Sequence, residues 1–570
     1  MVKILKAPKD NNNVSKSVVE MVLASKEFDE IRFEKGVYHF YSDGCYTDMF
    51  CTTNNDSGIK NVVFPILNKK NLTIDGQGST FVIHEEVYPF IIQNSENITL
   101  KNFQIDYACP VYAYGEVEEW SEKHFILHMR VDEDCSKYYI NEENNIVFFN
   151  EEREFSSASM HFIAGEFNPS ERRMETDTWL RFFCVGKQDK KVENPAVPVY
   201  YMDATDLGNY RVKFSYHEGS QRTEYKVGNA VLIMYRDRQY GNIFIDKSKN
   251  TCIENINIFR GVGMGVLAQN SENITIDRLA VKPKAERFGA MSITADCVHI
   301  LNCRGRLNVT NSWFERSFDD PLNVHGMYTV VDQIISENKI LVRLMHQDQR
   351  YINVYSPGDV ISVIDHETSE ITERRMIKSS QLTEDGACVI LESAEKFENI
   401  RQGMYLENSE AMPTVYYANN LLKDAPRLLC ATPKKAVIEK NIFDGMGNPI
   451  FITDCPSYWY ESGRVEELFI SQNRFLRSCY KGSRCPIMIK YENDQFKDND
   501  TTIHKNITIT ENQIENADCA IVEASYVDHL VIANNSVRSF PGAKRLDKEQ
   551  IPYQLTCCKN VTIENNTIEF

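Results

Sequence analysis

Three aspartates near the middle of the chain are the residues best suited to chemistry. Asp296 closes the run Thr294-Ala295-Asp296, and the pair Asp319-Asp320 follows 23 residues later between Phe318 and Pro321, with Asn323 and His325 just beyond. Breaking a glycosidic bond requires one carboxylic acid to protonate the leaving oxygen and one carboxylate to activate water or attack carbon. Successive side chains on a regular strand face opposite sides, so Asp319 and Asp320 can share a site only at a turn or bulge, which Pro321 favours. Crowded carboxylates resist simultaneous ionisation, so one of the three is expected to keep its proton near neutral pH, as a general acid must. Taken singly, His299 and His325 read as hydrogen-bonding fillers; His325 counts as a site candidate because of where it lies.

A second constellation is Asp454, Trp459, Tyr460 and Glu461, within the run Phe451 to Gly463. Aromatic faces stack on the C–H faces of a sugar ring while carboxylates take its hydroxyls, so this segment is expected to be a subsite wall facing the same cleft as the aspartates. An aromatic lid over the core is the other reading.

The elements that must position these residues are written in repeats. Asn71-Leu72-Thr73-Ile74, Asn97-Ile98-Thr99-Leu100, Asn273-Ile274-Thr275-Ile276, Asn506-Ile507-Thr508-Ile509 and Asn560-Val561-Thr562-Ile563 are short alternating strands entered through asparagine. Later in the chain an apolar-x-x-Asn-x-apolar pattern places Asn441, Asn473, Asn512, Asn535 and then Asn565 or Asn566 at equivalent positions. Asparagine tolerates left-handed turns and can bond its equivalent one turn above, so these residues are expected to stack in an internal row at about 4.8 Å. Steps of 23 to 24 residues match one coil of a parallel β-helix. The expected fold is therefore all-β: a right-handed parallel β-helix in which Asp296 and the Asp319-Asp320 pair lie one coil apart.

Two stretches lack the coil signature yet alternate like strands. They predict inserted antiparallel modules, of barrel or sandwich type, and the division 1–107 (cap helix and first coils), 108–250 (first module), 251–326 (coils bearing the aspartates), 327–425 (second module) and 426–570 (last coils). Residues 15–27 predict an amphipathic helix started by a serine cap, placed to cover the end of the solenoid.

Composition limits the partners. With 63 basic and 81 acidic residues among 570, the net charge of −18 disfavours nucleic acid, anionic membrane and polyuronate, and is indifferent to a neutral sugar. Sixteen scattered cysteines read as reduced and buried, without zinc-ligand spacing, so no metal or other cofactor is expected. The N-terminus has no apolar signal segment and no run is long enough to span a bilayer, which reads as cytoplasmic, or as exported if a leader was trimmed. A homo-oligomer is compatible with all of this.

The Thr294-Ala295-Asp296, Phe318-Asp319-Asp320 and Trp459-Tyr460-Glu461-Ser462-Gly463 motifs, set in β-helix coils with two β insertions, resemble glycoside hydrolase family 110. The resemblance covers essentially the whole chain. It implies a bacterial exo-α-1,3-galactosidase that releases terminal galactose, including that of the blood group B determinant, by inversion and without a metal. The family's catalytic carboxylates carry over as Asp296, Asp319 and Asp320, with Asn323, His325, Asp454, Trp459, Tyr460 and Glu461 as substrate contacts. Inversion asks for acid and base carboxyls about 6.5–9.5 Å apart, so one must splay from its strand; Asp296 is favoured as acid and the pair as the water-activating group, with the first member of the pair, Asp319, as the alternative acid by likeness to related β-helix hydrolases. A polyuronate-acting β-helix hydrolase or lyase is an alternative, but Val324-His325-Gly326 lacks the preceding glycine of the pectin hydrolases' Gly-His-Gly, and no Arg-Ile-Lys is present. A non-catalytic glycan-binding solenoid is another.

Overall fold

The structure is a computed structural model that describes residues 2–7, 12–109, 111–131, 137–149, 154–159, 162–175, 181–188, 199–235, 238–285, 287–425, 429–431, 433–479, 485–497, 500–516, 520–539 and 552–569. Its framework is a parallel β-helix. One column of inward side chains runs coil by coil through Leu100, Ile253, Ile276, Val309, Tyr417, Ile438, Ile470, Ile509 and Ile532, each beside the next in a parallel pairing. All nine are buried, so the core grows along an axis and each coil covers its neighbour's apolar face.

The asparagines act as the sequence pattern requires, in two rows. On the outside, Asn71, Asn97, Asn250 and Asn273 have φ of 53°, 56°, 55° and 56°, and the Nδ2 of each of the last three donates to the preceding Oδ1 at 2.7, 2.9 and 3.1 Å. The short polar side chain tolerates this left-handed corner and satisfies itself across coils. On the inside, the backbone N–H groups of Asn420, Asn441, Asn473, Asn512 and Asn535 each donate to the Oδ1 of the next asparagine at 2.9–3.0 Å, ending on Asn566. Buried corner amides that have no strand partner are thereby paired.

At the N-terminal end, helix Ser15–Leu23 buries Val18 and Val22 in the main core. The expected serine cap is absent: Val14 occupies the cap position, Ser15 Oγ donates to Tyr41 O at 2.9 Å, and Asn13 Oδ1 accepts from Ser15 N–H. Ser15 is used to tie the helix to the first coil.

Two barrels interrupt the coils. Between Tyr112 and Met234, strands close into a barrel that is antiparallel except where Arg181–Val185 pairs with Val199–Asp206. The solenoid then resumes as if nothing intervened, Asn250 stacking on Asn97. The second barrel is antiparallel and is closed by Leu322–Ser336, Lys339–Leu344, Cys388–Ser393, Ile371–Leu382, Val360–Ile364 and Tyr405–Asn408. Strand Leu322–Ser336 belongs to both bodies: its first residues are a coil strand and its remainder a barrel strand. Cys184, Cys297, Cys303 and Cys455 are buried thiols.

Replacing Asn473 by alanine removes the acceptor of Asn441 N–H and the donor to Ile438 O. Each orphaned buried group costs about 1–3 kcal/mol. Asn473→Ala is therefore expected to unfold at lower denaturant than wild type, and an unchanged midpoint would remove the ladder from the account of stability.

Candidate active site

Coil register brings the three aspartates together. Cys297 N–H donates to Asp320 O at 2.9 Å, which sets the segment after Asp296 directly against the aspartate pair of the next coil. Strand Val298–Leu301 continues that pairing, with His299 beside Asn323 and Leu301 beside His325. Between coil strands Trp313–Glu315 and Leu322–Ser336 the chain bends at 318–319. Ser317 Oγ donates to Asp319 O at 2.8 Å, and Asp320 N–H to Asp319 Oδ1 at 3.0 Å. This irregular turn lets adjacent residues face one site. One oxygen from each of Asp296, Asp319 and Asp320 lies within 4.8 Å of the others, and all three residues are buried. These nearest oxygens are closer than the carboxyl separation of about 6.5–9.5 Å expected for inversion.

The partners of the trio were largely invisible in the sequence. Arg238 forms an ion pair with Asp319 through Nη2 and Oδ2. It lies 81 residues upstream, where the chain leaves the first barrel, and the only hint was a basic residue at a module boundary. On the other side, His299 Nδ1 lies 2.6 Å from Asp296 Oδ2, and His299 Nε2 lies 3.1 Å from His325 Nε2. His325 Nδ1 is 2.6 Å from Gly326 O, and its Nε2 is 3.5 Å from Glu461 Oε1. Burial pushes the His299 imidazole down to about 4 and lowers that of His325, so both rings favour the neutral form. Asn323 is on the same outward face as His299, and its buried Oδ1 has no hydrogen-bond partner, which suits it to accept from a ligand hydroxyl.

The second constellation divides. Met327 pairs with Glu461 and Gly326 with Ser462 in an antiparallel bridge, and this carries Glu461 to the histidines. A Cβ at Gly326 would fall against Met412 Cε and Ser462 Oγ, so those two side chains would have to shift to admit one. Trp459 is 41% exposed and meets the His346 ring at 5.5 Å, and Gln347, the residue after His346, lines an open cavity of about 630 Å³. That cavity is bounded by Asp56, by Gln239 and Tyr240 next to Arg238, and by Asp348 and Tyr351 of the second barrel. Tyr460 instead packs with Tyr328 and Tyr405 in the barrel. Asp454 has a different task from the sugar contact expected of it. It is fully buried, accepting from Tyr328 O–H at 3.0 Å and Gly463 N–H at 3.3 Å, with Arg464 Nε at 3.9 Å. Aromatic and acidic residues crowd that segment because it joins barrel to solenoid.

Among the described residues, the aspartate trio is the group whose oxygens come close enough to share a cation. A hard cation takes six or more oxygens, whereas the flanks of this trio are held by the Arg238 guanidinium and the His299 ring.

No protein-family model matches the chain. It is similar to the α-1,3-galactosidase A of Bacteroides thetaiotaomicron, 29% identical over 556 residues that cover 95% of this chain and 91% of that protein. It is 28% identical to an α-1,3-galactosidase B of Phocaeicola vulgatus over 563 residues, covering 94% and 88%. The resemblance to glycoside hydrolase family 110 holds along nearly the whole chain. Among solved structures, a Thermotoga maritima exopolygalacturonase aligns with a TM-score of 0.40 at 9% identity, covering 100% of this chain and 92% of that one, too loosely to bear on function.

Burial pushes the Asp454 carboxyl up to about 7. Its folded state thus holds a proton that the unfolded chain releases near 4, and this contribution to stability is lost as pH rises through 7. Asp454→Asn abolishes that dependence. The stability deficit of the variant relative to wild type, measured by denaturant unfolding, is expected to shrink between pH 5 and pH 8; a constant deficit would mean that Asp454 is ionised throughout.

Proposed function

We propose that the protein is an exo-acting glycoside hydrolase that removes a terminal, non-reducing α-1,3-linked galactose from neutral glycans, blood group B-like or linear, with inversion. The observation that carries this reading is the meeting of Asp296, Asp319 and Asp320 within 4.8 Å, in a chain similar along nearly all its length to two α-1,3-galactosidases. An exo enzyme needs a small closed site for one ring and an open side for the rest of the glycan. The buried trio with Asn323 suits the first, and the cavity lined by Gln239, next to Arg238, and by Gln347 suits the second.

In this mechanism the Asp296 carboxyl protonates the glycosidic oxygen as the C1–O bond breaks. Asp319 and Asp320 hold the attacking water and one of them takes its proton, while Arg238 holds Asp319 in an ion pair. Glu461 and Trp459 line the approach. Inversion draws its support from the family resemblance. The nearest-oxygen spacing by itself is closer to the ~5–5.5 Å of a retaining pair, so the anomer of the first product decides the stereochemistry.

A galactose-terminated α-1,3-disaccharide followed by proton NMR is expected to yield β-galactose first, mutarotating later to the equilibrium mixture. Asp296→Asn, Asp319→Asn and Asp320→Asn should each lower kcat by about 10²–10⁴-fold or more in a folded protein. Initial release of α-galactose, or full activity in an aspartate variant, would contradict the mechanism.

A further inference from the structure

The contacts around Asp296 can be counted in protons. Three of them run in series: Asp296 Oδ2 to His299 Nδ1 at 2.6 Å, His299 Nε2 to His325 Nε2 at 3.1 Å, and His325 Nδ1 to Gly326 O at 2.6 Å. Each requires one hydrogen. A carbonyl cannot donate, so His325 Nδ1 carries a proton, and a neutral His325 then presents a bare Nε2. His299 must therefore donate from its own Nε2. If His299 is neutral its Nδ1 is bare, and the hydrogen in the 2.6 Å contact belongs to Asp296. If His299 is charged, the same hydrogen sits on Nδ1 against a carboxylate. Charging His325 instead shifts the protons along the series without changing their number. Three contacts hold three protons in every case, whereas a carboxylate with two neutral imidazoles supplies only two.

We propose that Asp296, His299 and His325 form a proton store holding one proton beyond a carboxylate and two neutral rings, and that Asp296 delivers this proton to the leaving sugar. His299 and His325 are positioning residues that act through Asp296. The store lies in the interior: Asp296, His299 and His325 are 3%, 1% and 0% exposed. The charged groups facing it are Glu461 from the barrel junction, Asp320 and Asp319 from the next coil, and Arg238, the partner of Asp319, from the module boundary. Burial keeps both rings neutral against the carboxylates, which leaves the excess proton on Asp296. In turnover the C1–O bond breaks, the leaving oxygen takes the stored proton, and water adds to C1. The proton lost by that water goes to the Asp319-Asp320 pair, whose oxygens lie within 4.8 Å of Asp296 and can recharge the store. No external acid is consumed.

The delivery step rests on the glycosidase reading, whereas the proton count does not, and the test separates them. In resting full-length protein selectively labelled with ¹⁵N-histidine, the count predicts at pH 7 a His325 protonated at Nδ1 only and a His299 protonated at Nε2. It also predicts a strongly deshielded proton in the Asp296–His299 contact. A neutral His299 protonated at Nδ1 beside an ionised Asp296, with His325 neutral as well, would overturn the store. For delivery, His325→Leu removes the acceptor of His299 Nε2–H, so His299 can change tautomer and donate to an ionised Asp296. The alkaline limb of kcat/KM is then expected to move at least one unit to lower pH. His325→Gln, whose amide oxygen can accept in the same place, should bring it back towards wild type. A uniform loss across pH in both variants would mark His325 as structural only and overturn delivery. If wild type cleaves no α-galactoside, the glycosidase reading fails while the NMR result still decides the count.

Discussion

Parallel backbone pairing between successive coils is the constraint from which the site follows. It fixes which residues meet across coils and permits no drift, because a one-residue slip would turn Leu322 and Val324 out of the core and Asn323 and His325 into it. The asparagine rows lock that register at the corners, where strand pairing lapses. Once it is set, a 23-residue step becomes a contact between neighbouring coils, and Asp296 meets Asp319 and Asp320 without any dedicated scaffold.

Regular coils alone would leave the trio with nothing to govern its charge. The insertions supply those groups at the points where they join the solenoid. The first barrel hands over Arg238 on its way back to the coils. The second grows out of the strand that carries Asn323 and His325, and its antiparallel bridge at Gly326–Met327 delivers Glu461. An anionic chain thus places a guanidinium beside one aspartate of the trio and a neutral imidazole beside another, so carboxylates within 4.8 Å meet different surroundings. Differentiated surroundings are what separate an acid from a base in one site.

What was legible in the sequence is what recurs. The Asn-x-Thr strands and the apolar-x-x-Asn spacing exposed the coil and its length, and through it the trio. Asn566 rather than Asn565 continues the inner row, a choice that spacing alone left open. The helix signal was sound, but its serine was bonded to Tyr41 because a cap residue is judged by tertiary neighbours that sequence does not display. Arg238 escaped notice because a pairing 81 residues apart through a non-repeating barrel leaves no periodic trace. Asp454 was misplaced for a related reason: carboxylates among aromatics look alike whether they face a sugar or, like this one, lie under Tyr328 and Arg464. The histidines were discounted singly, and only coordinates reveal that they are joined in series to Asp296.

The central claim is that the aspartate trio receives the terminal ring of an α-1,3-galactoside. The most direct test is a crystal structure of the Asp320→Asn protein soaked with an uncleaved galactose-terminated disaccharide. The account predicts the anomeric carbon over Asp296 and the 319–320 turn, a ring hydroxyl on Asn323 Oδ1, and the second sugar in the cavity lined by Gln239 and Gln347. A ligand seated elsewhere on the solenoid, or one whose scissile oxygen lies out of reach of Asp296, would contradict it.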